Sequence, residues 1–129
     1  MDQLNPPTLA DQGKQEYEKG NYLEAADLFL QAAQAYATTQ DNLNAAEMKN
    51  NQSVALLQAG KVKEAFQATD GTEEVFQKAG DIKRQGIAVS NRAAALEGLK
   101  KWQEALAEYD RAASLFEQIG EGDMHSIVR

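Results

Sequence analysis

The residues able to do covalent or acid-base chemistry are few, and their spacing does not assemble a site. The chain has no cysteine and one histidine, His125, so it can build neither a thiolate nucleophile nor a His/Cys metal cluster. Acidic pairs such as Glu73-Glu74 and Glu16/Glu18 are abundant, but on acidic helical stretches such pairs face water. No phosphate-cradling glycine loop, no HExxH and no Ser/His/Asp set is present, and no spacing suits calcium or zinc. The expectation is a non-catalytic protein that uses no cofactor and no metal. What remains is recognition chemistry. Asn51 and Asn91 lie 40 residues apart, and an asparagine amide offers both donors and an acceptor to a peptide backbone.

Composition narrows the partners. The chain of 129 residues is long enough for one domain, and its 43% apolar and 26% charged residues are those of a globular protein. Thirteen Lys and Arg against 20 Asp and Glu give a net charge of −7, which argues against nucleic acid and favours a ligand with basic residues. No apolar run approaches the roughly 18 residues of a membrane span. The start, Met1-Asp2-Gln3-Leu4-Asn5-Pro6-Pro7, lacks the basic and apolar regions of a signal peptide, so a cytoplasmic location is expected.

Recognition residues need a scaffold, and the sequence repeats itself at an offset of 40 residues. Glu24-Ala25, Glu64-Ala65 and Glu104-Ala105 recur at that spacing, as do Tyr36, Phe76 and Phe116. Within a unit, Leu28, Phe29, Ala32, Ala33 and Tyr36 follow the i, i+3, i+4 rule of a helix. The spacing predicts helices at about 8–19, 22–38, 43–59, 62–78, 82–99 and 102–119, with a fragment from about 123, and Thr8 as the first N-cap. Residues 1–7 are expected to be a flexible lead, followed by a single domain over 8–129, with units of about 6–42, 43–82 and 83–122 and a remnant at 123–129. Polar or glycine-containing turns at Gln40-Asp41, Gly80-Asp81 and Gly120-Glu121 close the units, and Asp70-Gly71-Thr72 interrupts the second. Because Phe76 stays in phase beyond Gly71, a continuous but locally soft helix is expected there.

These columns resemble the tetratricopeptide repeat family over about residues 8–122. The family's small residue in the first helix of each pair is matched by Gly13, Ser53 and Ala93, and its bulky residue after the turn by Tyr22, Val62 and Trp102. Its alanine is matched by Ala25, Ala65 and Ala105, and its later aromatic-alanine pair by Phe29 with Ala32 and Tyr109 with Ala112. In unit two, Thr69 and Thr72 replace that pair, and the 40-residue period is similar to the family's longer-helix subset. The resemblance implies an all-α fold, a right-handed superhelical solenoid of antiparallel helix hairpins with three repeats and a partial C-terminal helix. It also implies that ligand contacts come from a concave face lined by the first helix of each pair.

Projected at helical spacing, the concave lining is Lys14, Tyr17 and Glu18 from unit one, Asn50, Asn51, Val54 and Leu57 from unit two, and Ser90, Asn91, Ala94 and Glu97 from unit three, and all of these but Glu18 and Ala94 are candidate peptide-binding residues. The basic clamp by which some relatives hold chaperone tails would need Lys or Arg at Ala10, Ile87 and Asn91, and Asn at Lys14; of its five positions only Asn51 matches. The last full helix carries a wide apolar set. Three readings stay open for it: part of a longer array, a lid formed by the remnant, or self-association through Leu115, Phe116, Ile119, Ile127 and Val128. The leading expectation is a scaffold module binding a protein or peptide segment, and the alternative is a structural module forming a homo-oligomer or docking through this end.

Overall fold

A computed structural model describes the backbone of residues 5–128 and the side chains of residues 5–120. All its described elements are helical: α1 (Pro6–Glu18), α2 (Tyr22–Thr38), α3 (Asn42–Gln58), α4 (Val62–Ala68), α5 (Thr72–Lys78), α6 (Ile82–Gly98) and α7 (Trp102–Val128). Each is separated from the next by three residues, too few for any path but an abrupt reversal or a kink. Two turn positions recur at the 40-residue offset with positive φ, one at Gly20, Gly60 and Lys100 and the other at Gln40 and Gly80. Asp41 and Asp81 then cap α3 and α6, their carboxylates accepting from the backbone N–H of Asn44 at 3.3 Å and Arg84 at 3.0 Å.

Three boundaries differ from the sequence expectation. The first helix begins at Pro6, and its N-cap is Asn5, whose Oδ1 accepts from the Thr8 N–H at 2.9 Å. Thr8 thus supplies the capped donor and is not the cap, while the prolines occupy the first turn, where no N–H is needed.

The second helix of unit two is broken, not continuous. Gly71 sits at φ 78° between α4 and α5, a conformation that glycine adopts without steric penalty. The Thr69 hydroxyl donates to the Phe66 carbonyl at 2.7 Å, the buried Thr72 hydroxyl donates to the Thr69 carbonyl at 2.8 Å, and Lys49 Nζ donates to the Asp70 carbonyl at 3.3 Å. Carbonyls released by the break therefore have partners. The two short helices both pack on α3 and α6, so together they take the place of one longer helix. This is why Phe76 keeps its column and has no exposed surface.

The third difference is α7, which runs unbroken through Gly120 to Val128 where a turn was expected. Glycine permits a left-handed turn without forcing one. The column that supplies the caps Asp41 and Asp81 holds Glu121, which is not among the favoured N-cap residues.

Small residues set the packing distances. Ala25, Ala32, Ala65, Ala93, Ala105 and Ala112 are all buried, and the Ser53 hydroxyl donates to the Ala65 carbonyl at 2.8 Å to tie α3 to α4. One core cluster joins Leu9, Ala10, Phe29, Ala33, Met48 and Ala55 from α1, α2 and α3, and another joins Ala46, Phe76 and Ala88 from α3, α5 and α6. Consecutive helices pack on one another, α4 and α5 both pack against α3 and α6, and α3 also touches α6.

Candidate functional site

The first helices of the three units present two adjoining cavities. The first, about 300 Å³, lies between Lys14, Tyr17 and Glu18 of α1, Phe29 of α2, and Asn51 and Val54 of α3. The second, about 600 Å³, lies between α3 and α6, where Asn50, Asn51 and Val54 face Lys83, Arg84, Ile87 and Asn91, with Phe76 and Asp81 beside them. Asn51 and Val54 line both, so the two form one trough across three helices. Six of the nine candidate peptide-binding residues stand in it: Lys14, Tyr17, Asn50, Asn51, Val54 and Asn91.

The other three do not line either cavity. Leu57 lies where the Gly98 backbone comes close, with Cδ1 3.4 Å from the place a Gly98 Cβ would take. Glu97 is exposed and accepts a hydrogen bond from the Tyr109 hydroxyl at 2.9 Å. Burial and that carboxylate together push the Tyr109 phenol pKa up. Ser90 is half-buried on α6.

The trough carries local charge of both signs. Arg84 bridges Glu47 at 2.9 Å and Asp81 at 3.6 Å, fixing a guanidinium at the rim between α3 and α6. Lys83 and Lys14 add cations, and Glu18 an anion. The Tyr17 ring meets the Tyr22 ring edge-on, with centroids 5.1 Å apart, which orients it beside the first cavity. Asn50 is 5% exposed, and among the described residues its Oδ1 has no hydrogen-bond partner. Glu47, Arg84 and Ile87 were missed from sequence, although helical spacing gives the signal: Glu47 and Ile87 each lie one turn before a chosen residue, Asn51 and Asn91.

A third cavity, about 350 Å³ and strongly polar, opens at the α4–α5 break. Arg111 of α7 spans it, donating to both Glu73 carboxylate oxygens at 2.7 Å and to Glu108 at 3.2 Å. Gln85 also donates to Glu73, at 3.0 Å, and Arg92 lies 4.6 Å above the Phe66 ring. The Arg111 hydrogen bonds hold the Glu73 carboxyl below the usual range, against an opposing effect of burial. Each charge in this network has a partner inside the protein, so the network reads as a clamp across the break.

Of the five residues predicted for self-association, Leu115, Phe116 and Ile119 are half-buried. Phe116 covers Gly86, where an added Cβ would lie 2.7 Å from its ring. The side chains of Ile127 and Val128, and of His125, lie outside the described residues. Among the described residues no helix is long and apolar enough to cross a membrane, and no group of three or more His, Cys, Asp or Glu could hold a metal ion.

What the fold and trough define is an all-helical protein of short-linked, neighbour-packed helices with an open groove on the first helices of its units. No family model, curated protein or solved structure matches the chain.

Proposed function

We propose that the chain is a non-catalytic interaction module, a tetratricopeptide-like α-solenoid that binds an extended segment of a partner protein along the trough of α1, α3 and α6. The observation that carries this reading is the shared wall: Asn51 lines both cavities, and Asn91 stands across the second on the neighbouring helix. Two amides on adjacent helices can meet successive peptide groups without reading side chains. Val54 and Ile87 supply apolar surface, and Lys14, Lys83 and Arg84 sit where they select against basic side chains locally. An open groove running across three helices suits a modest, peptide-length ligand better than a small metabolite, which needs enclosure.

The test is affinity capture from the source cell's lysate with the wild type and Asn51→Ala/Asn91→Ala, the variant's helicity first checked by circular dichroism. A partner retained by the wild type and lost by the folded variant supports the groove. Equal retention of the same partner by both defeats it.

A further inference from the structure

The outer face of α7 differs from every equivalent face in the molecule. Leu106 is 63% exposed and Tyr109 38%, whereas the residues 80 positions earlier on α2, Ala26 and Phe29, are each 3% exposed beneath α3. Ala113 is likewise exposed where Ala33 is buried. With Trp102, 61% exposed, these residues form a line at intervals of four, three and four, the spacing of a helix–helix seam. Asp110 and Glu117, both exposed and seven residues apart, run along one flank, and among the described residues neither has an ion-pair partner.

We infer that this face of α7 docks an amphipathic helix of another protein, one with an apolar seam flanked by Lys or Arg. A second copy of this chain fits poorly in either arrangement. Head-to-tail stacking would place α1 on α7 as α3 lies on α2. The positions that α3 uses there are Met48, Ala55 and Leu56, and α6 has Ala88, Ala95 and Leu96 in the same columns, but α1 has Thr8, Gln15 and Glu16. The α1 face is thus polar where the receiving face is apolar. Pairing α7 with its own copy sets the Asp110 flank against itself and brings together two chains of charge −7. A basic-flanked helix meets both requirements, covering the seam and neutralising the acidic edge. The site is separate from the trough of α1, α3 and α6, so each can fail without the other.

Trp102 is the only tryptophan and reports directly on docking. The probe is a tryptophan-free amphipathic peptide of about 21 residues, long enough to form a stable helix, with Leu and Ala in the seam and Lys on both flanks. Its counterpart carries Glu on the flanks. The Lys peptide is expected to shift Trp102 emission to the blue. Leu106→Gln, which keeps the charge and alters only an exposed side chain, is expected to weaken it by about tenfold or more, as for an interface anchor. Asp110→Lys/Glu117→Lys is expected to reverse the preference between the two peptides, and Asn51→Ala/Asn91→Ala to leave it unchanged. Equal binding of both peptides by the wild type, or binding indifferent to Leu106→Gln, overturns the proposal. So does sedimentation showing that the protein alone dimerises in a manner abolished by Leu106→Gln, which would give the face to a second copy.

Discussion

Two glycines meet phenylalanine rings at nearly the same distance, and the structure says that the same substitution at each has different consequences. A Cβ built on Gly13 of α1 lies 2.8 and 2.9 Å from Phe29 ring carbons, and one built on Gly86 of α6 lies 2.7 and 3.0 Å from Phe116. Carbon atoms settle at about 3.5–4.0 Å, so either ring must retreat by about 0.7 Å or more. Alanine also gains about 1 kcal/mol over glycine inside a helix. The deciding quantity is whether the ring can move. Phe29 is 3% exposed, enclosed by Leu9, Ala10, Ala33 and Met48, so overpacking there should reach the upper part of its range, about 3 kcal/mol. Phe116 is half-buried on α7 and can swing outward, at about 1 kcal/mol. Subtracting the helix gain leaves Gly13→Ala destabilised by about 2 kcal/mol and Gly86→Ala near neutral. Urea unfolding followed by helical circular dichroism resolves this difference. In the Gly13→Ala background, Phe29→Leu should relieve the clash, giving a coupling of about 1 kcal/mol in a double-mutant cycle. Equal losses at the two glycines, or additive behaviour in the cycle, would refute the reasoning from ring mobility.

Two further outcomes follow from the packing and the clamp. Phe76→Ala removes a ring with no exposed surface and should lower stability by about 3–5 kcal/mol; half-buried Phe116→Ala should cost less, a ranking that urea midpoints will show. Glu73 has a folded-state pKa below the usual range because of Arg111, so its contribution is complete above the unfolded glutamate range and is lost as pH falls through the depressed value. Glu73→Gln should therefore flatten the acid side of the stability–pH curve, by about 1 kcal/mol or less given the exposure of Arg111, measured as urea midpoints from about pH 6 down to about pH 3.

Most helix positions were legible because the sequence states them three times. The column of Ala25, Ala65 and Ala105 is buried throughout, and the turn positions at Gly20, Gly60 and Lys100 share one left-handed conformation although the residue types differ. Aromatic phase does not reveal the break at Gly71, because Phe76 keeps its buried column across it. The signal for a break lies instead in Thr69 and Thr72, whose hydroxyls satisfy carbonyls that a break exposes. At Gly120 the opposite holds, and α7 runs on without a break. A glycine in the turn column suggested a turn, yet Asp41 and Asp81 show that the next helix is set by its cap, and the column there has no aspartate.

The trough was legible only in part, for a reason that bears on what the protein does. Projection along single helices found Asn51 and Asn91, but depth comes from contact between helices, and that contact turned Leu57 toward Gly98 and gave Arg84 to Glu47 and Asp81. The same contact rule explains the asymmetry of the molecule. Wherever a first helix lies on the unit before it, its facing columns are apolar, as at Met48 with Ala55 and at Ala88 with Ala95. At α1, where no described helix precedes, those columns hold Thr8 and Gln15. A polar face there is compatible with water, while Leu106 and Trp102 on α7 are not matched in this way. The two faces are therefore under different demands: the polar columns of α1 need no cover, whereas the exposed apolar line of α7 is the feature on which the proposed helix docking rests.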